Sequence, residues 1–209
     1  MLTLDTISKR YGERVILKDI SASFDQGSLA VLTGRNGSGK TTLLKIMAGL
    51  TKPSSGTVDG LSEDDRVAYV AHATFLYPAL TAYENLAFWN RCMGSPKSRD
   101  AIYDVLESVG LLDFSDEYAR TFSRGMAQRL NLARALLFEP GYLFLDEPMT
   151  GLDTASRELF REKLVHLRER GACIVLVSHT LDEDAVLATQ IYHLENGLLS
   201  SAEVPLCGQ

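Results

Sequence analysis

The octapeptide at residues 34–41 restricts the possible folds more than any other part of this chain. It reads G-R-N-G-S-G-K-T and fits the pattern G-x-x-x-x-G-K-[ST] in full. A short apolar run precedes it at 29–33, and apolar residues at helical spacing follow it from 40 to 50. Strand, glycine-rich loop and helix in this order form a nest of backbone N–H groups, to which the helix N-terminus adds its positive end. The sequence therefore predicts a phosphate-binding loop.

The requirements of ATP binding assign roles to several residues of this loop. Lys40 is expected to bridge the β- and γ-phosphates, and Thr41 is expected to hold Mg²⁺. Background composition gives this pattern by chance in about one chain in a hundred of this length, so an accidental match is the weaker interpretation. The predicted ATP-binding residues of the loop are Gly34, Arg35, Asn36, Gly37, Ser38, Gly39, Lys40, Thr41 and Thr42.

Two carboxylates follow a second apolar run, at 142–145. Asp146 and Glu147 would be costly to bury at the end of a strand unless they meet a cation or polar solvent. In a protein with a phosphate-binding loop, the strand-end Asp binds Mg²⁺ through water, and the next acid orients or activates the attacking water. A plain acidic turn before Pro148 is the alternative, and the phosphate-binding loop favours the catalytic interpretation.

Apolar runs that alternate with amphipathic segments predict an α/β fold with a mostly parallel sheet covered on both faces. The first 30 residues read as short antiparallel strands, and 142–145 and 174–177 read as buried strands. Asn196 and Gly197 mark a hairpin turn near the end. We therefore predict a P-loop NTPase with a RecA-like core, an N-terminal antiparallel β subdomain and a helical insert.

One part of the chain shows only helical patterns and is predicted to form a separate subdomain. A capping box, T-A-Y-E, begins at Thr81, and apolar residues at helical spacing precede Gly110. We predict a single domain in which residues 1–80 and 126–209 form the α/β core and residues 81–125 form the helical subdomain.

Composition excludes several classes of function. A net charge of −6 and a pI of about 5.2 argue against a nucleic-acid partner. The three cysteines, at 92, 173 and 207, have no metal-ligand spacing and are expected to be unpaired thiols. The N-terminus lacks the apolar segment of a signal peptide, and no apolar run reaches the length of about 18 residues that spans a membrane. We therefore expect a protein that reaches any membrane from the cytosol, through a partner chain.

From about residue 2 to residue 200, these motifs resemble the nucleotide-binding subunit of ABC transporters, in the order typical of that family. Residues 122–129, F-S-R-G-M-A-Q-R, are similar to the family signature L-S-G-G-Q-x-Q-R, with Arg124 and Met126 as departures. The resemblance implies that Ser123 and Gly125 contact ATP held by a second copy, so that two copies enclose two ATP molecules head to tail. A helix N-terminus there is suited to phosphate, and an ordinary capped helix is the alternative.

Three further positions match the family. Tyr11 lies 23 residues before Gly34 and resembles the aromatic residue that stacks on adenine, with a core tyrosine as the alternative. Residues 151–153, G-L-D, resemble the D-loop that reaches across the dimer interface, which implies an ATP contact for Asp153. His179 resembles the switch histidine that contacts the γ-phosphate. The resemblance thus implies Glu147, His179 and Lys40 as catalytic residues.

His72 stands where the family normally has a glutamine that touches Mg²⁺ or the attacking water. It joins Thr41 and Asp146 as a candidate Mg²⁺ ligand, with a position away from the metal as the equal alternative. With L-Y-P at 76–78 and L-T-A-Y-E-N-L at 80–86, it makes the chain similar to the ATP-binding subunit of the haem exporter for c-type cytochrome maturation. The ATPase of another ABC-2-type exporter is the alternative.

The resemblance implies an ATP- and Mg²⁺-dependent ATPase that dimerises and drives an integral membrane permease from the cytoplasmic face of the inner membrane. The apolar stretch at 75–78 is expected to form a groove for the permease, with ordinary core packing as the alternative. A soluble ABC ATPase acting on DNA or ribosomes is a rival, but no long coiled coil, zinc module or second ATPase domain is visible. A non-hydrolysing regulatory subunit is a second rival, against which the intact Lys40, Asp146, Glu147 and His179 argue.

Overall fold

The computed structural model describes residues 1–71, 73–93, 96–178 and 184–202. These residues form nine strands and five α-helices. The strands are β1 (Leu2–Tyr11), β2 (Arg14–Phe24), β3 (Leu29–Thr33), β4 (Ser55–Asp59), β5 (Val67–Val70), β6 (Tyr142–Asp146), β7 (Cys173–Val177), β8 (Gln190–Glu195) and β9 (Leu198–Ala202). The helices are α1 (Lys40–Met47), α2 (Ala82–Cys92), α3 (Arg99–Ser108), α4 (Arg124–Phe138) and α5 (Thr154–Glu169).

Six strands form the main sheet, in the order β5-β6-β7-β3-β8-β9. Neighbouring strands are parallel except in the edge hairpin β8–β9. Every residue of β3, β6 and β7 is buried, because a central parallel strand carries apolar side chains on both faces. The predicted α/β fold with a mostly parallel sheet, and the predicted hairpin at its end, are confirmed.

Two hydrophobic cores cover the two faces of this sheet. In β3, Leu29 and Val31 pack into one core and Ala30 and Leu32 into the other, because successive side chains of a strand alternate in direction. Helices α2 to α5 contribute to the first core, and α1 packs with β1 and β2 in the second. The carboxyl ends of β3, β6 and β7 therefore meet at one edge between the layers, where sheets of this kind bind ligands.

The N-terminal residues form a separate antiparallel sheet, in the order β2-β1-β4. The predicted antiparallel subdomain is confirmed, although β1 and β2 are longer than predicted, with 10 and 11 residues interrupted by shifts of register. β4 and β5 were not predicted. β4 is the third strand of this sheet, and its residues alternate only between half-buried and exposed, which leaves a weak hydrophobic pattern.

The helical part begins with the predicted capping box. Thr81 Oγ1 accepts a hydrogen bond from the Glu84 N–H at 3.1 Å, and the Glu84 carboxylate accepts one from the Thr81 N–H at 2.8 Å. α3 begins after the cap residue Ser98 and ends at Ser108, close to the predicted stop. α4 begins at Arg124 and continues to Phe138, so it runs across the division predicted at residue 125 and connects the helical part to the sheet.

A buried ion pair lies beside the carboxyl end of β7. The Asp184 carboxylate is fully buried and accepts hydrogen bonds from Arg161 Nε at 2.9 Å and from the Ser178 hydroxyl. Arg161 Nη2 lies 2.9 Å from the same carboxylate and completes the ion pair. Removing one partner of a buried pair leaves the other charge uncompensated, which typically costs several kcal/mol.

We therefore expect Asp184→Asn to lower the free energy of unfolding by about 3 kcal/mol. In a chain of this size the melting temperature falls by roughly 6–12 °C for that loss, which thermal unfolding followed by circular dichroism measures. Glu162→Gln, which removes an exposed carboxylate beside Lys163, is the matched control and is expected to shift the melting temperature very little. Equal melting temperatures for Asp184→Asn and the unmodified chain would show that the pair contributes no stability.

Candidate functional site

The loop between β3 and α1 has a backbone that depends on glycine at two positions. Gly34 has φ of 138°, and a Cβ atom there would lie 2.2 Å from the carbonyl oxygen of Leu194. Gly39 has φ of 111° and caps α1, and a Cβ atom there would lie 2.9 Å from a methyl carbon of Leu17. Side chains disfavour such φ values. The two glycines therefore let the loop pass close to β8 and β2 and turn into the helix.

Lys40 lies inside this loop and is 5% exposed. Its Nζ donates hydrogen bonds to the carbonyl oxygens of Gly34 at 2.7 Å and Arg35 at 3.1 Å. Burial lowers the pKa of the Lys40 ammonium, while the neighbouring charges of Glu147 and Asp146 act in the opposite direction. A buried ammonium in a ring of backbone groups provides a strong local field for an anion such as a phosphate.

Asp146, the last residue of β6, is held by two hydroxyl groups. Its Oδ2 accepts hydrogen bonds from Thr41 Oγ1 at 2.8 Å and from the Tyr69 hydroxyl at 3.1 Å. Burial and the charge of Asp146 raise the pKa of Tyr69, so the phenol stays protonated as a donor. The oxygens of Thr41 and Asp146 are hard ligands suited to Mg²⁺, which usually takes one or two protein oxygens together with phosphate and water.

Glu147 follows directly in a left-handed backbone conformation, with φ of 53°. Its N–H donates to the carbonyl oxygen of Val177 in the neighbouring strand at 3.2 Å. A non-glycine residue in this region costs about 1–3 kcal/mol and persists where the surroundings fix it, often at functional sites. The turn places half-buried Glu147 at the edge of the sheet, where it lines the same cavity as Lys40.

That cavity has a volume of about 420 Å³ and brings most of the predicted nucleotide residues together. It is lined by Tyr11, Arg14, Ile16, Asn36, Gly37, Gly39, Lys40, Thr41, Thr42 and Glu147. The Tyr11 ring is 54% exposed, with Lys9 Nζ 5.0 Å from its centre, which contradicts the core alternative for this tyrosine. Arg35 and Ser38 line an adjoining polar cavity instead, with Asn36 and Gly37 shared by both.

The predicted signature and D-loop residues lie together, on another surface. Ser123 caps α4, with Oγ accepting from the Met126 N–H at 3.2 Å, and Asp153 caps α5, with its carboxylate accepting from the Ser156 N–H at 2.8 Å. A Cβ atom at Gly125 would lie 3.8 Å from Asp153 Oδ2. None of these residues is among those described as lining the cavity around Lys40, so one chain does not bring both halves of the predicted site together.

Arg124, a departure from the signature pattern, contacts the D-loop of its own chain. A Cβ atom at Gly151, whose φ is 74°, would lie 2.8 Å from the guanidinium carbon of Arg124. The guanidinium therefore lies against the Gly151 backbone, and the residue remains exposed.

The site contains residues that were not predicted, and some predicted residues lie outside the described part of the chain. Tyr69, Arg14 and Ile16 were not predicted; pairing of β5 with β6 brings Tyr69 to Asp146, a contact that needs the strand order. His72 and His179 lie outside the described residues, as does Cys207. Within the described segments, Cys92 is exposed and Cys173 buried, both as free thiols, as predicted.

The fold and the site define a P-loop ATPase: a parallel sheet whose ends carry a glycine-rich loop with a buried lysine and a pair of adjacent acids. The profile of the ABC transporter family matches residues 17–150 of this sequence. The chain therefore belongs to the ABC transporter family, as an ATP-binding subunit. Its activity is ATP hydrolysis, as predicted.

Known relatives agree on the family and differ in cargo. The chain is 36% identical over 210 residues to the linearmycin resistance ATP-binding protein LnrL of Bacillus subtilis, spanning 94% of this chain and 67% of that protein. It is 35% identical over 187 residues to the cytochrome c biogenesis ATP-binding export protein CcmA of Haemophilus influenzae. This match spans 85% of this chain and 88% of that protein. A solved dimeric ATP-binding cassette in a post-hydrolysis state, bound to ADP and Pi, superposes with a TM-score of 0.87 at 27% identity over 100% of both chains.

Proposed function

We propose that two copies of this chain enclose two ATP molecules head to tail. The observation that carries this proposal is the separation of the two half-sites, because Ser123, Gly125 and Asp153 share a surface that does not line the cavity around Lys40. A second copy in the opposite orientation would bring that surface to the first copy's loop. The dimeric form of the structural relative bound to ADP and Pi supports the same arrangement.

In this proposal the groups of the site have different roles. The Lys40 ammonium binds the phosphates and compensates charge on the transferred phosphoryl group, while Glu147 orients the attacking water in line with the γ-phosphate. His179 is proposed to contact the γ-phosphate. The exposed ring of Tyr11 lies at the cavity wall, where it can stack on adenine.

Thr41 and Asp146 are proposed to hold Mg²⁺, with His72 as a further candidate. When bound, Mg²⁺ would neutralise negative charge on the phosphates. The chain's own contribution is orientation, because the hydroxyls of Thr41 and Tyr69 both donate to Oδ2 of Asp146 and thereby restrict rotation of its carboxylate.

Tyr69→Phe should therefore weaken the response to Mg²⁺ while leaving the fold intact. A hydrogen bond to a charged group contributes about 1.5–3 kcal/mol, so we expect the Mg²⁺ concentration for half-maximal ATP hydrolysis to rise about tenfold. Phosphate release measured across a Mg²⁺ titration checks this. Tyr142→Phe is the matched control, because the Tyr142 hydroxyl donates to the Gly60 carbonyl oxygen instead. An unchanged Mg²⁺ requirement in Tyr69→Phe would show that Tyr69 does not position Asp146 for Mg²⁺.

The membrane partner is proposed to dock on an apolar cavity of about 430 Å³ between the sheet and the helical part. Among the described segments, none of the helices has both the length and the hydrophobicity of a membrane span. Phe75, which lines the cavity, is 60% exposed, and Tyr77 and Phe88 nearby are 42% and 41% exposed. Clustered exposed aromatics are typical of an interaction surface, and they support attachment to a permease at the cytoplasmic face of the membrane.

For the cargo, we propose haem export in c-type cytochrome maturation. The chain covers 88% of the length of CcmA, and the pattern around His72 favours the same machinery. The ATPase of another exporter is the second candidate, because LnrL is equally similar, at 36% identity over 94% of this chain.

Purification of the tagged chain from its native membranes distinguishes these candidates. We expect one integral membrane permease to co-purify and ATP hydrolysis to rise when both are reconstituted in liposomes. Haem-handling proteins in the complex would support haem export. A drug-type permease would instead show that the chain is the ATPase of another exporter. Hydrolysis stimulated by nucleic acid or ribosomes, with no permease present, would overturn the transport function.

A further inference from the structure

One face of α4 contacts the segment that joins β6 to α5, residues 147–153, at two points. The side-chain amide of Gln128 donates a buried hydrogen bond to the carbonyl oxygen of Pro148 at 2.8 Å. The guanidinium of Arg124 lies against the backbone of Gly151. Arg124 and Gln128 are four residues apart on the helix, so their side chains lie on the same face. This face of α4 therefore holds the connecting segment near its beginning and near its end.

The same segment links two residues with different proposed roles. It begins at Glu147, whose N–H donates to the Val177 carbonyl oxygen at 3.2 Å and whose carbonyl oxygen accepts from the Thr150 N–H at 3.3 Å. It ends at Asp153, which caps α5. The sheet and α5 thus fix its ends, and α4 holds residues 148–151 between them. The position of the D-loop relative to the signature therefore depends on the contacts with α4.

The contact between Arg124 and Gly151 is one of packing. Three guanidinium atoms, Cζ, Nη1 and Nε, lie 2.8–3.2 Å from the point where a Cβ atom on Gly151 would stand, so the face of the planar group covers the glycine. Across the described ranges 1–71, 73–93, 96–178 and 184–202, this guanidinium takes part in no ion pair or hydrogen bond. The contact therefore uses the planar shape of the arginine side chain, which lysine lacks.

We propose that Arg124 is a positioning residue that holds the D-loop against the start of α4, so that the signature and the D-loop form one preorganised surface. The inference rests on the head-to-tail dimer proposed above, in which this surface closes over the ATP of the other copy. The closeness of the two elements supports it, because a Cβ atom at Gly125 would lie 3.8 Å from Asp153 Oδ2. A surface that is already ordered loses less conformational freedom on association, which strengthens the dimer. The family signature has glycine where this chain has Arg124, so the contact depends on a side chain that the usual pattern lacks.

Arg124→Ala in a Glu147→Gln chain tests the inference through dimer formation with ATP. We expect the protein concentration at which half of the chains are dimeric to rise about tenfold, because the D-loop must then be ordered during association. Light scattering during gel filtration across a dilution series measures this concentration. ATP binding by the monomer, measured by fluorescent-nucleotide titration, should be unchanged, because Arg124 is not among the residues described as lining the cavity around Lys40.

Two further variants in the same Glu147→Gln chain separate packing from charge. Arg124→Lys keeps the charge but lacks the planar group, so it should dimerise as weakly as Arg124→Ala. Gly151→Ala places a methyl group where the guanidinium lies, so it should also weaken the dimer. When Gly151→Ala is added to Arg124→Ala, its effect should be smaller than in the chain that retains Arg124, because the contact is already absent.

Arg120→Ala is the matched control, because it removes another exposed guanidinium, which lies 4.7 Å from the centre of the Tyr118 ring. It should dimerise as the Glu147→Gln chain does. The melting temperature of each variant shows whether it is folded.

Unchanged dimerisation in Arg124→Ala would overturn the inference, as would equal effects of Gly151→Ala with and without Arg124. Full dimerisation by Arg124→Lys would overturn it in favour of a direct pairing of this charge with the ATP of the other copy. If the Glu147→Gln chain with Arg124 intact forms no dimer with ATP, the head-to-tail arrangement fails and the inference fails with it.

Discussion

Glu147→Gln is expected to lower the rate of ATP hydrolysis by about 10²–10⁴-fold while ATP binding is retained. Glutamine has the same shape and the same tolerance for the backbone at φ of 53°, but it cannot accept a proton from the attacking water. Because Lys40 and Thr41, which are proposed to hold the phosphates, are unchanged in this variant, the nucleotide is expected to stay bound and the enclosed dimer to accumulate. Phosphate release and light scattering during gel filtration with ATP measure these two effects.

The control for this experiment is Glu162→Gln, which makes the same chemical change at an exposed position of α5. It should hydrolyse ATP at the unmodified rate and show no excess dimer. A Glu147→Gln protein that stays monomeric and hydrolyses ATP normally would show that another group orients the water.

Lys40→Ala is expected to lower hydrolysis by about 10²–10³-fold, the usual loss for one group that stabilises charge in the transition state. Unlike Glu147→Gln, it should also weaken ATP binding, because it removes the ammonium at the centre of the loop. No dimer should therefore accumulate with ATP, and fluorescent-nucleotide titration should show the lower affinity.

Lys45→Ala, five residues further along α1, is the matched control and is expected to hydrolyse ATP normally. The melting temperature of Lys40→Ala is measured beside it, because the change also removes two hydrogen bonds to loop carbonyls. Normal hydrolysis by Lys40→Ala in a folded protein would contradict the proposed role of this loop.

The parts of the fold that were predicted carry strong local signals. The strand at 29–33, the loop at 34–41 and α1 follow one another without a break. The capping box at Thr81 is a contact between residues three positions apart, and such contacts can be seen in a sequence. β4 was missed because its residues are only half-buried or exposed, and β5 was missed because its run has only four residues.

The candidate site also contains residues that local motifs predict and contacts that they do not predict. Lys40 and Asp146 were predicted because motif spacing fixes their chemistry. The hydrogen bond from Tyr69 to Asp146 and the contact of Arg124 with Gly151 join residues 77 and 27 positions apart. Such contacts depend on strand order and on how α4 packs, which propensity and periodicity do not encode.

The two halves of the ATP site are proposed to come from different copies of the chain. A crystal structure of the Glu147→Gln protein with ATP and Mg²⁺ would show which residues contact the nucleotide. We expect the triphosphate in the 34–41 loop of one copy, with Ser123 Oγ and the Gly125 N–H of the other within hydrogen-bond distance of the γ-phosphate. ATP bound in that loop while the Ser123 surface of every copy faces solvent would contradict the claim.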